Sequence, residues 1–298
     1  MPLLHAGDVV ALVAPAAHQA GSGLDLIAQA CQQLTDWGLV VQVLCEPERR
    51  HFYLAGDDAH RAQQLQTALT DPDIRGVFVT RGGYGSTRVL PLLAGRPVAD
   101  RVICGYSDIS SLLFNLPQIY PGVSAVHGPG LAGAHFLADT DTAATNRHRL
   151  QALLFSDCAA YGQAVDVIRP GQAQGPLVGG NLSVLVSLLG TPFAPDFTGQ
   201  VLFLEDVGEK PYVIDRMLTQ LRLAGKLNGL RGLVFGDMEA CHDGHHDVRE
   251  VIADALGPTP YPVVYGFRAG HGALNTAFRF GQVAMIASAD ATLTLADE

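Results

Sequence analysis

Gly105-Tyr106-Ser107-Asp108 follows the apolar run Val102-Ile103-Cys104 and precedes Ile109-Ser110-Ser111-Leu112-Leu113-Phe114, which reads as a helix. A strand that turns abruptly into a helix at a small-x-Ser-x step can hold a hydroxyl above a sheet edge, with the next backbone N–H ready to receive an oxyanion. Ser107 is therefore a candidate nucleophile. The pattern lacks the last glycine of the G-x-S-x-G elbow, because Ile109 stands there, and a serine in this place can also simply N-cap the helix. The nucleophilic reading needs a base, a group to orient that base, and an oxyanion hole.

Eleven histidines are available as the base. His271 stands out because Gly270 and Gly272 flank it after the apolar run Val263 to Gly266, a setting that lets an imidazole approach another backbone closely. His127, in Val126-His127-Gly128-Pro129-Gly130, is its rival, in the same half of the chain as Ser107; otherwise it reads as a turn histidine. The orienting acid should end a strand, where its position is rigid. Leu202-Phe203-Leu204-Glu205-Asp206 places Glu205 so, a costly site for a carboxylate without a partner, and leaves Asp206 and Glu209 open as neighbours.

Thr80-Arg81-Gly82-Gly83-Tyr84-Gly85-Ser86 supplies an exposed glycine loop after another apolar run, and the N–H of Asp108 is the natural second oxyanion donor. The loop lacks both G-x-G-x-x-G spacing and a G-K-[ST] ending, so a phosphate cradle is weakly supported, and a plain tight turn remains open. Arg81 is a candidate clamp for a substrate carboxylate, since a guanidinium fork matches that geometry, and Tyr84 beside it is a candidate substrate contact. Cys241-His242-Asp243-Gly244-His245-His246-Asp247 has metal-ligating residue types. Yet Gly244 breaks the helix that would align His242 with His246, and a solvated loop is the better reading.

The elements that must position these groups change style along the chain. Val9 to Ala14, Leu39 to Leu44, Gly76 to Thr80 and Arg101 to Cys104 read as buried strands. Leu24 to Trp37, ended by Gly38, and Asp57 to Leu69 read as helices between them. Alternation of this kind implies right-handed crossovers and a mostly parallel sheet, whose ligands bind beyond the carboxyl ends of the strands. From about Gly130 to Gly171 the sequence becomes polar, Ala-rich and helical in pattern, including Asp141 to Phe155. Then Gly175 to Asn181 reads as turns and Leu182 to Leu189 as an apolar helix. Short strands recur at Gln200 to Leu204, Gly232 to Phe235, Val263 to Tyr265, Ala284 to Ile286 and Ala291 to Leu295, with one amphipathic helix over Val213 to Ala224. This predicts an α/β domain over residues 1–130, a helical connection over 131–170 and a smaller α+β or barrel-like domain over 171–298.

The 298 residues, 48% of them hydrophobic, supply core for two domains, and a formal charge of −10 disfavours nucleic acid or an anionic membrane as partner. The start of the chain has neither a basic n-region nor a long apolar stretch, and no run reaches the ~20 apolar residues of a membrane helix. Cys31, Cys45, Cys104, Cys158 and Cys241 form no C-x-x-C, and three of them sit among apolar residues as reduced thiols do. A soluble cytoplasmic protein is expected.

In this order, the pieces resemble the L,D-carboxypeptidase family of serine peptidases, the muramoyltetrapeptide carboxypeptidases, together with the related microcin C immunity proteins. The matching stretches are Gly7-Asp8 through Pro15, Ala55-Gly56-Asp57-Asp58 with Arg61, Arg81 to Gly85, Gly105 to Asp108, Gly128-Pro129, Gly179 to Leu182, Leu204-Glu205-Asp206 with Asp215 to Leu218, Gly236-Asp237, and Gly270-His271-Gly272. The resemblance implies a flavodoxin-like N-terminal domain and a barrel-like C-terminal domain. It also implies a Ser107-His271-Glu205 triad drawn from both domains, and oxyanion donors at Gly83 and Asp108. Further implications are release of D-alanine from a murein tetrapeptide in cell-wall recycling, no metal or organic cofactor, and a homodimer. Two other functions stay open: an immunity-type amidase cutting peptidyl or aminoacyl nucleotide analogues, for which an aromatic side chain placed to stack on adenine would speak, and a non-enzymatic ligand binder in which Ser107 only caps a helix. The lone Trp37 lies far in sequence from the motifs.

Overall fold

The computed structural model describes residues 3–19, 23–156 and 161–296. Cys158 of the readings above lies outside the described residues, as do the first two residues of the chain and part of the 131–170 connection. The chain divides into two compact units, residues 1–157 with 276–278, and residues 158–275 with 279–298.

The first unit alternates strand and helix: β1 (Val9–Val13), α1 (Gly23–Asp36), β2 (Val40–Val43), α2 (Asp58–Thr70), β3 (Ile74–Val79), the short α3 (Ser86–Val89), β4 (Arg101–Gly105), α4 (Ser110–Ile119) and β5 (Val123–His127). Then come the one-turn α5 (Ala134–Leu137) and α6 (Asp141–Phe155). Strands β5-β4-β3-β1-β2 lie side by side in that order and every neighbouring pair is parallel. That is the flavodoxin-like order, with its reversal at β1 and β3. β1, β3 and β4 are buried almost throughout, as strands covered on both faces must be, and so are written in Val, Ile and Phe. Helix starts carry their own signals: the Asp57 carboxylate accepts the His60 N–H at 2.8 Å, and the Thr140 hydroxyl that of Ala143 at 3.2 Å.

The second unit runs through β6 (Tyr161–Ala164), β7 (Asp166–Arg169), β8 (Gln172–Asn181), α7 (Leu182–Ser187), β9 (Val201–Val207), α8 (Pro211–Leu223), β10 (Gly232–Glu239), α9 (Val248–Leu256), β11 (Val263–Tyr265), β12 (Phe278–Arg279), β13 (Val283–Ala287) and β14 (Thr292–Ala296). All but β12 form a mixed sheet ordered β6-β14-β13-β8-β9-β10-β11-β7. Its two end strands, β6 and β7, are separated in sequence by Val165 alone, so the sheet curls into a nearly closed barrel. β12 instead joins the first sheet beside β5, and residues 276–278 belong with the first unit.

Three local expectations are corrected. Residues 161–171, expected to be helical, form β6, β7 and their connections, because a polar, alternating edge strand carries no apolar run to announce it. Gly175 to Asn181, expected to be turns, is the inner half of β8. Its glycines are there for close approach: a Cβ on Gly179, at φ 153°, would lie 1.9 Å from the Phe203 carbonyl oxygen. A second amphipathic helix, α9, stands where only Val213 to Ala224 was expected; Asp247 caps it and Ile252, Ala255 and Leu256 form its buried face. Among the described residues no helix is long and apolar enough to cross a membrane.

Candidate active site

β4 delivers the chain to the sheet's carboxyl edge at Gly105, where a Cβ would meet Ile109 Cγ2 at 2.8 Å, so only glycine permits so tight an exit. Ser107 sits at φ 62°, left-handed backbone that a non-glycine residue rarely adopts. Strain of this kind persists where the surrounding structure imposes it, and it clusters at functional sites. Ser107 opens a single 3₁₀ turn, Ser107–Ile109, whose cap position is Tyr106; the cap position of α4 is Ile109. The serine thus holds neither helix-capping position.

The glycine loop lies directly on this turn. A Cβ on Gly82 would be 2.9 Å from Ser107 Cβ, 3.1 Å from its Oγ and 3.3 Å from the Asp108 amide nitrogen. Gly83, at φ 102°, passes so near Ala17 that an added Cβ would stand 2.6 Å from that methyl, and the Ala17 N–H donates to the Gly82 carbonyl at 3.3 Å. From below, the buried Arg61 guanidinium donates to the carbonyls of Gly85, at 2.7 Å, and Pro15, and pairs with Asp58. Asp58 also binds Arg88 at 2.8 Å.

Asp108 is locked into the same assembly. Its buried carboxylate accepts the Ser86 N–H at 2.8 Å, its carbonyl accepts the Ser86 hydroxyl at 2.6 Å, and Ser86 Oγ lies 2.6 Å from Ser111 Oγ. Burial holds the Asp108 carboxyl above the usual range, against the Ser86 bonds and the Arg61 charge, which draw it down. Arg81 is exposed, its guanidinium 3.5 Å from the His18 carbonyl, and Tyr84 turns its edge to Tyr53 with ring centroids 5.7 Å apart.

In the second unit, Glu205 is fully buried in β9, opposite Asn181 of β8. Its Oε2 lies 2.7 Å from Nδ1 of His271. Gly270 makes the approach possible: at φ 119°, a Cβ there would stand 2.6 Å from Glu205 Oε2. The Gly270 N–H is held by Asn275 Oδ1 at 3.1 Å, and across the loop a Cβ on Gly272 would collide with the Asp237 carboxylate at 2.3 Å. Asp206, one residue from Glu205, faces the opposite way, as alternate strand residues must. It accepts from Asn181 Nδ2 at 3.1 Å and the Ser183 N–H at 2.8 Å, tying down the start of α7. The bond to His271 comes from Glu205.

Burial works against charging His271, but the Glu205 bond and the carboxylates of Glu205, Asp206 and Asp237 outweigh it and raise its pKa above the ordinary imidazole value. Asp206 and Asp237 are both pushed up to about 6, first by burial and then by the charge of Glu205. A histidine held by its Nδ1 on a buried carboxylate, with Nε2 turned away from that bond, is the form a general base takes.

Other candidates are placed elsewhere. His127 ends β5 in register with Gly105, fully buried, its ring stacked on Phe278 at 4.9 Å and 10°. In the loop after Cys241, Asp243 accepts the N–H groups of His245 and His246, both at 2.9 Å, and pairs with His246 Nδ1 at 2.7 Å, while Asp247 caps α9. Among the described residues no group of three His, Cys, Asp or Glu side chains could hold a metal ion. Residue-level reasoning gave no role to Arg61, Ser86, Asp237 or Asn275, although Arg61 and Asp237 stand inside the stretches that carried the family resemblance.

Residues 10–128 match the LD-carboxypeptidase N-terminal domain family and residues 174–286 the LD-carboxypeptidase C-terminal domain family. A Bacillus subtilis protein named probable murein peptide carboxypeptidase is 33% identical over 303 residues, covering 98% of this chain and 92% of that one. The murein tetrapeptide carboxypeptidase of Pseudomonas aeruginosa is 32% identical over 293 residues, covering 93% and 92%. Among solved structures, the muramoyltetrapeptide carboxypeptidase of Oxalobacter formigenes superposes with a TM-score of 0.82 at 27% identity, covering 97% of this chain and 98% of that one.

Proposed function

Because this chain belongs to the LD-carboxypeptidase family and is thereby a peptidase, we propose that it is a serine carboxypeptidase releasing the terminal D-alanine of a murein tetrapeptide. The observation that carries the reading is the buried Glu205 carboxylate on Nδ1 of His271, 2.7 Å away, together with a serine held in left-handed backbone under a glycine loop. Ser107 Oγ attacks the carbonyl of the amide joining an L-centre to the terminal D-residue, and His271 Nε2 takes the hydroxyl proton. The carbonyl becomes an oxyanion facing the N–H groups of Gly83 and Asp108. As it collapses, His271 returns the proton to the departing amine, D-alanine leaves, and an acyl-serine remains. Water, deprotonated by His271, then releases the shortened peptide and restores Ser107. Glu205 keeps the imidazole in the required tautomer and stabilises its charged form. Arg81 and Tyr84 are assigned to the free carboxylate and backbone of the substrate.

The immunity-type reading asks for an aromatic residue available to a nucleobase. Trp37 does not serve, since it is buried edge-on against Phe136 at 5.8 Å and Phe155 at 6.3 Å. We further propose a cytoplasmic homodimer; the unpaired thiols of Cys31, Cys45, Cys104 and Cys241 suit a reducing compartment.

The test incubates the protein and its Ser107→Ala variant with murein tetrapeptide and follows free alanine by mass spectrometry. Release by the parent and its loss, by roughly 10⁴-fold or more, in the variant is expected. Equal release by both removes Ser107 from the chemistry. Cleavage of an aminoacyl-sulfamoyl adenosine in place of the tetrapeptide moves the protein to the immunity class.

A further inference from the structure

β9 and β10 run parallel with one irregularity. Leu204 pairs with Phe235 and Asp206 with Met238, so two residues of β10, Gly236 and Asp237, stand opposite the single residue Glu205. This is a β-bulge, rare between parallel strands, and a bulge beside a site re-aims a side chain. In unbroken register Asp237 would pair with Asp206 and share its face, away from Glu205. With the extra residue, its carboxylate lies against the same loop as that of Glu205. A Cβ on Gly272 would stand 2.3 Å from Asp237 Oδ2, just as one on Gly270 would stand 2.6 Å from Glu205 Oε2.

The end of β10 grips that loop along its length. The Phe235 carbonyl accepts the N–H groups of Gly266 and Phe267 at 3.0 and 3.1 Å, and the Asp237 N–H donates to the Ala269 carbonyl at 3.1 Å. Gly236 permits the approach, since a Cβ there would lie 2.5 Å from the same Ala269 oxygen. The Asp237 carboxylate then accepts the Gly272 N–H. His271 is thus framed from two sides: Glu205 meets its Nδ1 at 2.7 Å, and the next backbone amide is held by the acid of the bulge. Fixing that amide limits how far the backbone at residue 271 can rotate, and with it the reach of the ring.

The charges acting on Asp237 are Glu205, Glu239 and Arg268. Burial and the two acids push its carboxyl up to about 6, against the pull of Arg268 and the Gly272 N–H. Once ionised, Asp237 joins Glu205 and Asp206 in favouring the imidazolium of His271.

We propose that Asp237 is a positioning residue: set by the bulge opposite Glu205, it holds the Gly272 amide and so keeps the His271 imidazole on Glu205 with Nε2 turned away from that bond. The proposal rests on the serine-peptidase reading above and assigns that site a further member.

The experiment compares Asp237→Ala, which removes the acceptor, with Asp237→Asn, which keeps an acceptor oxygen and removes the charge. On murein tetrapeptide Asp237→Ala is expected to lose roughly 10²-fold in kcat with KM changed by less than about twofold, the cost of a displaced base. Asp237→Asn should recover at least roughly tenfold of that loss, and its rising limb of kcat/KM should move to lower pH. In parallel, spectra of the protein labelled with 15N-histidine, assigned with His271→Gln, read the tautomer of His271 without any substrate. The parent and Asp237→Asn should show the Nδ1–H form, with Asp237→Asn titrating at lower pH, and Asp237→Ala a mixture of both tautomers. This pattern in a parent that leaves the tetrapeptide uncut would sink the proposed reaction and keep the positioning role. A His271 tautomer unchanged in Asp237→Ala, parental kcat in that variant, or equal losses in Asp237→Ala and Asp237→Asn would overturn it.

Discussion

Gly270 sets how closely His271 can lie against Glu205. Gly270→Ala would drive a methyl into the Glu205 carboxylate and strain a backbone at φ 119°, so we expect a stability loss of roughly 1–3 kcal/mol and a larger fall in kcat than in KM, measured by urea unfolding and steady-state kinetics. Glu205→Gln keeps the shape and removes the charge. By analogy with the tautomer role of a triad acid, kcat should fall by roughly 10⁴-fold with the fold intact. In the proposed mechanism the acid also fixes the working pH. His271 must be neutral to accept a proton, and its pKa is raised, so the rising limb of kcat/KM against pH should sit above the ordinary imidazole value of about 6.5. In any residual activity of Glu205→Gln that limb should move to lower pH, because the anion that favoured the imidazolium is gone. A limb that stays in place would show that another group sets it.

The glycine loop is held as an element, not by any one contact. Arg61 draws the carbonyls of Pro15 and Gly85 to a single buried guanidinium, and Ser86 joins the loop to Asp108. Arg61→Met should leave those two carbonyls unsatisfied, at roughly 1–3 kcal/mol each, and hydrogen exchange should quicken at residues 81–86 before it does elsewhere in the first unit. Uniform exchange across the unit would contradict the pinning role. This is also the scale at which sequence was least legible. Parallel strands rich in Val and Ile, the helix capped by Asp57 and the Gly105 to Asp108 turn could all be read, since each depends on residues near in the chain. β8 could not, because its glycines answer to Phe203, about 25 positions away, and neither could the Arg61 contacts, which join residues from 15 to 85. In the site, Glu205 and His271 were legible as types at strand and glycine boundaries. That Glu205 and not Asp206 meets the imidazole followed only once the pleat of β9 was known.

For the whole molecule, three groups of the second unit hold protons more tightly folded than unfolded: Asp206 and Asp237, each near pH 6, and His271. An unfolded aspartate releases its proton near pH 4, so between about pH 4 and 7 the native state binds more protons, and stability must fall as pH rises through that window. Urea midpoints at pH 5 should exceed those at pH 7, and Asp237→Asn should flatten the difference. A midpoint that climbs across the same interval would reverse the sign assigned to these groups. The first unit has a different dependence. Phe278 reaches it from far along the chain to stack on His127, so Phe278→Ala should cost roughly 3–5 kcal/mol, read as a loss of cooperativity in thermal unfolding.

Residues 276–278 also give this protein a timetable. A nascent chain that has delivered residue 157 still lacks the strand that completes its first unit, and at roughly 5–20 residues per second the missing piece follows about 6–24 s later. The serine-bearing unit therefore stays open at the edge next to β5 until residue 278 has been added, leaving His127 without the ring that stacks on it. Its folding is finished by a piece made about 120 residues after the rest, so the proposed site cannot be complete on the ribosome before then.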